Sequence, residues 1–101
     1  MSIIEQKAGE LSAIIIERGN SFKTKVTFDF SISDYAITAY VRSGSNTTYL
    51  TVETIDNYNI NISLSNTQSQ AITTIDNLFY LRLTYNTETR DFIKTQFQVL
   101  Q

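Results

Sequence analysis

A chain of 101 residues with 10 acidic and 8 basic side chains, a net charge of -2 and an isoelectric point near 4.9 has room for one domain around one modest core. Histidine and cysteine are both absent, which excludes a disulfide framework, thiolate chemistry and the usual general base near neutral pH. The few scattered basic residues build no cationic face for a phosphate backbone, so a nucleic-acid partner is not expected.

Ser, Thr, Asn and Gln make up more than a third of the chain. That composition favours strands and turns over helices. It also gives a surface that meets neighbouring subunits at little charge-desolvation cost. The opening MSIIEQKAGELS lacks the basic and apolar regions of a signal peptide. The longest apolar run, Ala13–Ile16, is far short of the ~20 residues that span a bilayer. Synthesis in the cytoplasm, with no membrane partner, is the expectation.

Residues 1–9 show no period, and Ile3 and Ile4 read as apolar residues on an arm ending at Gly9. Such an arm is either a frayed terminus or a segment that docks on a neighbouring subunit. The division expected is an N-terminal arm over 1–10 and a β-domain over 11–101. Leu11, Ala13 and Ile15 alternate and predict a first strand over 11–17, closed by a turn at Arg18-Gly19-Asn20.

Two organising strands follow. Phe22, Thr24, Val26, Phe28 and Phe30 alternate with Lys23, Lys25, Thr27 and Asp29. After a short polar turn, Tyr35, Ile37, Ala39 and Val41 alternate with Ala36, Thr38, Tyr40 and Arg42. Each run has one apolar and one mostly polar face. A pair of this kind buries its apolar side only against another sheet, which predicts a sandwich or barrel.

Ser43-Gly44-Ser45-Asn46-Thr47 predicts a hairpin loop, and Tyr49–Ile55 a strand with Leu50 and Val52 inward. Asp56-Asn57 predicts a tight turn before the alternating Tyr58, Ile60, Ile62 and Leu64. Ser65-Asn66-Thr67-Gln68 fits a capping box, placing one helical turn over 66–72 with Ala71 and Ile72 closing an end of the sandwich. Asp76-Asn77 predicts another turn. Phe79, Leu81, Leu83 and Tyr85 then give the inner face of one strand. Ile93, Thr95, Phe97 and Val99 give that of the last, across a hairpin at 86–89. The sum is an all-β, Ig-like antiparallel sandwich of about seven strands.

This order of pieces resembles a family: the small β-sandwich domain of tailed-phage structural proteins, similar to the N-terminal domain of baseplate upper proteins. The family opens with a Gly-x-x-Phe strand and a tyrosine leading into a strand that ends in Val-Arg, matched by Gly19, Phe22, Tyr35, Val41 and Arg42. A Leu-Ser-Leu/Thr-x-x-Gln segment follows, matched by residues 62–68. A strand of the form aromatic-Asp-Leu-x-Leu-Thr keeps its register at Phe79, Leu81, Leu83 and Thr84, and Arg90 precedes the final strand. The match covers about residues 11–100. Departures are Tyr80 at the family's acidic position, Thr95 at a usual glycine, and a shorter loop between the two organising strands without a Gly-x-Pro turn.

The ten acids are dispersed, with Asp29, Asp34, Asp56 and Asp76 at turn positions, so no carboxylate pair or calcium loop emerges. No catalysis, cofactor or metal is expected. Tyr40, Tyr49 and Tyr80 are predicted on an outward face, where tyrosine either packs across strands or offers amphipathic contact area. Arg42 and Arg82 share that face as rim residues. The resemblance implies a non-enzymatic virion protein, made in the host cytoplasm. It would act as an adaptor or decoration subunit of tail, baseplate or head, docking on other virion proteins as a homo-oligomer or symmetric assembly. The alternative is a carbohydrate- or receptor-binding module using the exposed tyrosines.

Overall fold

Alternation of Phe22, Thr24 and Val26 with polar neighbours is realised as written: these three side chains are buried and the intervening Lys23, Lys25 and Thr27 face out. The computed structural model describes residues 14–101 in full and the backbone of residues 3–7. In chain order the described elements are β1 (Ile3–Lys7), β2 (Ile14–Glu17), β3 (Phe22–Thr27), β4 (Ala36–Ser43), β5 (Asn46–Tyr49), β6 (Thr51–Thr54), β7 (Asn59–Leu64), α1 (Asn66–Ala71), β8 (Asp76–Tyr85) and β9 (Glu88–Leu100). They form two sheets, β1-β3-β7-β6 and β2-β9-β8-β4-β5, packed as the all-β sandwich that the pattern predicts.

Between the sheets lie Val26, Val41, Ile60, Ile62, Leu64, Phe79, Leu81, Phe97 and Val99, all essentially without solvent exposure. Phe97 sits at the middle of this packing. Its ring meets Phe22 edge-on at 6.0 Å and stacks on Phe79 at 6.4 Å, both favoured geometries for aromatic quadrupoles.

One run of the chain, residues 46–54, serves both sheets as two strands. β5 pairs with β4 in one sheet and β6 with β7 in the other. Between them Leu50 turns inward, buried, and its amide donates to the Ala39 carbonyl at 2.9 Å. The single strand expected over 49–55 is therefore two, and the loop expected over 43–47 shrinks to Gly44-Ser45, because Ser43 already pairs with Asn46. Gly44 takes φ +61° there, a conformation glycine adopts without steric penalty.

Residues 3–7, which carry no sequence period, form β1 alongside β3 in parallel register, Ile3 opposite Lys23 and Ile4 opposite Thr24. The predicted strand at 11–17 is described from Ile14 onward, and its facing differs from the alternation proposed. Ile14 is buried and Ile15 is 59% exposed. Parallel pairing with β9 sets Ile14 opposite Phe97 and Ile16 opposite Val99, so the partner fixes a facing that three successive isoleucines leave undetermined.

Asp76-Asn77, expected as a turn, opens β8 instead. The Asn77 side chain is buried and donates to the carbonyls of Thr74 at 2.9 Å and Ile75 at 3.3 Å, holding the chain extended as it enters the ladder. Phe28 and Phe30 leave the β3 ladder, since β3 ends at Thr27. The connection after them is no purely polar turn, because it buries Ile32.

The capping box forms as predicted. Ser65 Oγ accepts from the Gln68 amide at 3.1 Å and Gln68 Oε1 accepts from the Ser65 amide at 3.0 Å, which satisfies two helix-terminal donors at once. Ile72 is buried at that end as expected, but Ala71 is exposed and Ser69 takes the inward place. The Ser69 hydroxyl accepts from the Gly19 amide at 2.9 Å, and Asn66 donates to the Gly19 carbonyl at 3.1 Å. α1 thereby fixes the turn between β2 and β3, where Gly19 has φ +90°.

Candidate docking face

Because Ala39, Val41, Phe79 and Leu81 face the core, period-two alternation turns Tyr40, Arg42, Tyr80 and Arg82 to the outer face of the five-stranded sheet. Strand register then lines them up. Tyr49 lies opposite Tyr40, Tyr40 opposite Tyr80, and Tyr80 opposite Lys94, across four consecutive strands.

The rings in this row touch. Tyr40 stacks on Tyr80 at 4.9 Å with 12° between planes and leans on Tyr49 at 5.8 Å. The Arg82 guanidinium lies 5.3 Å from the Tyr40 ring centre, its Nη2 donating to the Tyr40 hydroxyl at 2.9 Å, and Lys94 Nζ lies 5.6 Å from the Tyr80 ring centre. Cations over electron-rich ring faces are attracted to them. Arg82 Nε also donates to Asp91 Oδ1 at 2.8 Å. That bond to Asp91 is the main cause that raises the Arg82 pKa above its ordinary value, outweighing desolvation, and the side chain stays charged.

Of the seven residues singled out in the sequence, five share this face: Tyr40, Tyr49, Tyr80, Arg42 and Arg82. Arg42 sits beside the row, opposite Leu78, with its Nε 3.4 Å from the Gly44 carbonyl. Ile3 and Ile4 belong to the other sheet, at its β1 edge, and their side chains lie outside the described residues. Tyr40 is on the predicted face but only 9% exposed, since Tyr49, Tyr80 and Arg82 cover it. Tyr49, 62% exposed, is the open ring of the row. A saccharide seeking a free aromatic face finds the central ring of this row already covered.

Sequence reasoning missed Leu78, Ile15 and Leu100, which are exposed apolar side chains on the outward positions of β8, β2 and β9. Reading Asp76-Asn77 as a turn removed Leu78 from its strand, and the isoleucine run concealed the facing of Ile15. Beside Tyr80, a shallow cleft of about 560 Å³ is lined by Arg42, Gly44, Asp76, Asn77, Leu78 and Gln96. Among the described residues no group of His, Cys, Asp and Glu side chains is placed to hold a metal ion, and no helix is long and apolar enough to cross a membrane.

No family model matches the chain, and no curated protein matches it by sequence. Its fold is similar to that of the N-terminal domain of phage TP901-1 ORF48, with a TM-score of 0.59 at 10% identity. The similarity covers 98% of this chain and 97% of that one.

Proposed function

We propose that this chain is a non-enzymatic structural subunit of a tailed-phage particle, an adaptor or decoration module that docks onto other virion proteins. The observation that carries the reading is the end-to-end fold likeness to the phage TP901-1 ORF48 domain, with almost nothing left over on either chain. The Gly19–Arg42 and residue 62–68 motifs add to it, since they resemble the N-terminal domains of baseplate upper proteins.

Docking uses three features. The outer face of the five-stranded sheet presents Tyr49, Leu78 and Arg42 around a rigid row of rings, the amphipathic and cationic side chains that anchor interfaces. The outer face of the other sheet is polar, with Lys23, Lys25, Thr27, Glu53, Asn59, Asn61 and Ser63 at outward positions. The edge strands β2, β5 and β6 offer backbone groups for strand addition. The N-terminal segment, whose residues 3–7 form the edge strand β1 on β3, adds its free edge to the contact with a neighbour in a symmetric assembly. The subunit is made in the host cytoplasm and ends in the particle.

Mass spectrometry with copy-number quantification on purified particles tests the role. A fixed whole-number stoichiometry against the major tail or head proteins is expected; abundance in infected-cell lysate with absence from particles refutes it. Deleting residues 1–9 removes β1, an edge strand of the four-stranded sheet, so the melting temperature falls while the remaining strands stay folded, and incorporation weakens. Normal incorporation of the truncated chain would remove this edge from the mechanism.

A further inference from the structure

The end of the sandwich opposite α1 holds a second cluster of rings that the docking face does not use. Phe28, Phe30, Tyr35, Tyr85 and Phe92 form a chain of contacts with centroid separations of 5.5 to 5.8 Å. Four of them, Phe30, Tyr35, Tyr85 and Phe92, line a cleft of about 300 Å³ together with Glu88 and Arg90. Tyr35 and Tyr85 are 37% and 47% exposed, so their rings form its open side.

The two charged residues reach this cleft because of an irregularity in β9. Its inward side runs Ile93, Phe97 and Val99, so strict alternation turns residue 91 inward and residues 88 and 90 outward. A bulge breaks that alternation: Leu81 pairs with Ile93, but Arg82 pairs with Asp91, leaving Phe92 as the extra residue. Asp91 then faces out to meet Arg82. Arg90 falls opposite Leu83 and Glu88 opposite Tyr85, on the side of the rings. Bulges beside functional sites re-aim side chains in this way. Among the described residues neither Glu88 nor Arg90 forms an ion pair, so both remain available to a ligand.

We propose that this aromatic cleft binds a neutral saccharide, one pyranose residue at the end of a glycan. The C–H face of a pyranose packs on tyrosine and phenylalanine rings, while its hydroxyls accept from the Arg90 guanidinium and donate to the Glu88 carboxylate. The opposite charges of Glu88 and Arg90 cancel, which favours a neutral sugar over an anionic one. The volume lies at the lower limit of small-ligand pockets, enough for a single ring and too little for an extended peptide. The site is separate from the docking face, so a virion role stands or falls without it.

The test is a titration of the isotope-labelled full chain with methyl glycosides of glucose, galactose, N-acetylglucosamine and rhamnose, to tens of millimolar, followed by two-dimensional amide spectra. At least one glycoside produces shifts that saturate in the millimolar range and map to residues 30–35 and 83–92. Arg90→Met and Tyr85→Ala each weaken that binding by roughly tenfold or more, whereas Tyr49→Ala leaves it unchanged. Arg90→Met keeps the aliphatic stem, so a folded variant is available if Tyr85→Ala is not. Absence of saturating shifts with every glycoside, or shifts that map to the Tyr49 face, overturns the proposal.

Discussion

Tyr40 and Tyr49 are neighbours in one row of rings, yet truncating them separates stability from docking. Tyr40 is 9% exposed, touches rings on both sides and receives a hydrogen bond from Arg82. Removing a buried aromatic side chain typically costs about 3–5 kcal/mol; Tyr40→Ala belongs near about 3 kcal/mol, because its outer side meets a cation and solvent rather than packed core. In a domain of this size each kcal/mol lowers the melting temperature by roughly 4–8 °C, so a drop of roughly 12–24 °C is expected. Tyr49 is 62% exposed with one ring contact, and Tyr49→Ala loses at most about 1 kcal/mol, the worth of a single aromatic pair. Tyr40→Phe isolates the hydroxyl and loses about 1 kcal/mol, the net value of one hydrogen bond. Thermal and urea denaturation of the three variants measure these differences. Particle incorporation then falls for Tyr49→Ala at nearly unchanged stability. If Tyr49→Ala destabilises as much as Tyr40→Ala, the row is not organised around Tyr40 and the reasoning fails.

Phe97→Ala, at the centre of the core and in contact with Phe22 and Phe79, lowers the unfolding free energy by about 4 kcal/mol in urea titrations; a loss under about 1.5 kcal/mol contradicts its placement there. Asp56 accepts hydrogen bonds from the Tyr58 amide at 2.8 Å and from Asn59 Nδ2 at 2.9 Å, and the Tyr58 bond is the main cause that lowers its pKa below 3.8. The folded chain therefore binds this proton less tightly than the unfolded chain. The resulting stability is present above the ordinary carboxylate pKa and is lost as pH falls through the lower folded value. Wild type accordingly exceeds Asp56→Ala in denaturation midpoint at neutral pH, and the gap narrows in strong acid; a gap that widens on acidification contradicts the sign.

The sandwich was legible where one residue pattern had one physical solution. The Phe22–Thr27 and Asn59–Leu64 alternations, the hairpin at Asn86-Thr87 and the Ser65–Gln68 capping box each specify local geometry without help from distant residues. What escaped depended on partners far along the chain. Ile14 rather than Ile15 faces inward only because β9 imposes the register. The sheet switch at Leu50 leaves a run of residues that scans as one strand. The docking row was half visible: Tyr40, Tyr49, Tyr80 and Arg82 could be assigned to an outward face, but their stacking order is a property of cross-strand register, which no single strand encodes. The end cleft was hidden for a related reason. Alternation read without the bulge sends Glu88 and Arg90 to the opposite face.

The parallel pairing of β2 with β9 has a consequence for biosynthesis. Ile14 and Phe97 lie near opposite ends of the described chain, so β2 has no partner until β9 has emerged from the ribosome. Contacts of such sequence separation form late, because loop-closure entropy opposes them until the rest of the structure is in place. A nascent chain that ends before β9 leaves β2 unpaired and one edge of β8 uncovered, two strands prone to wrong association. Synthesis of β9 covers both in one step, so a chain stalled before Glu88 is the form most exposed to wrong association.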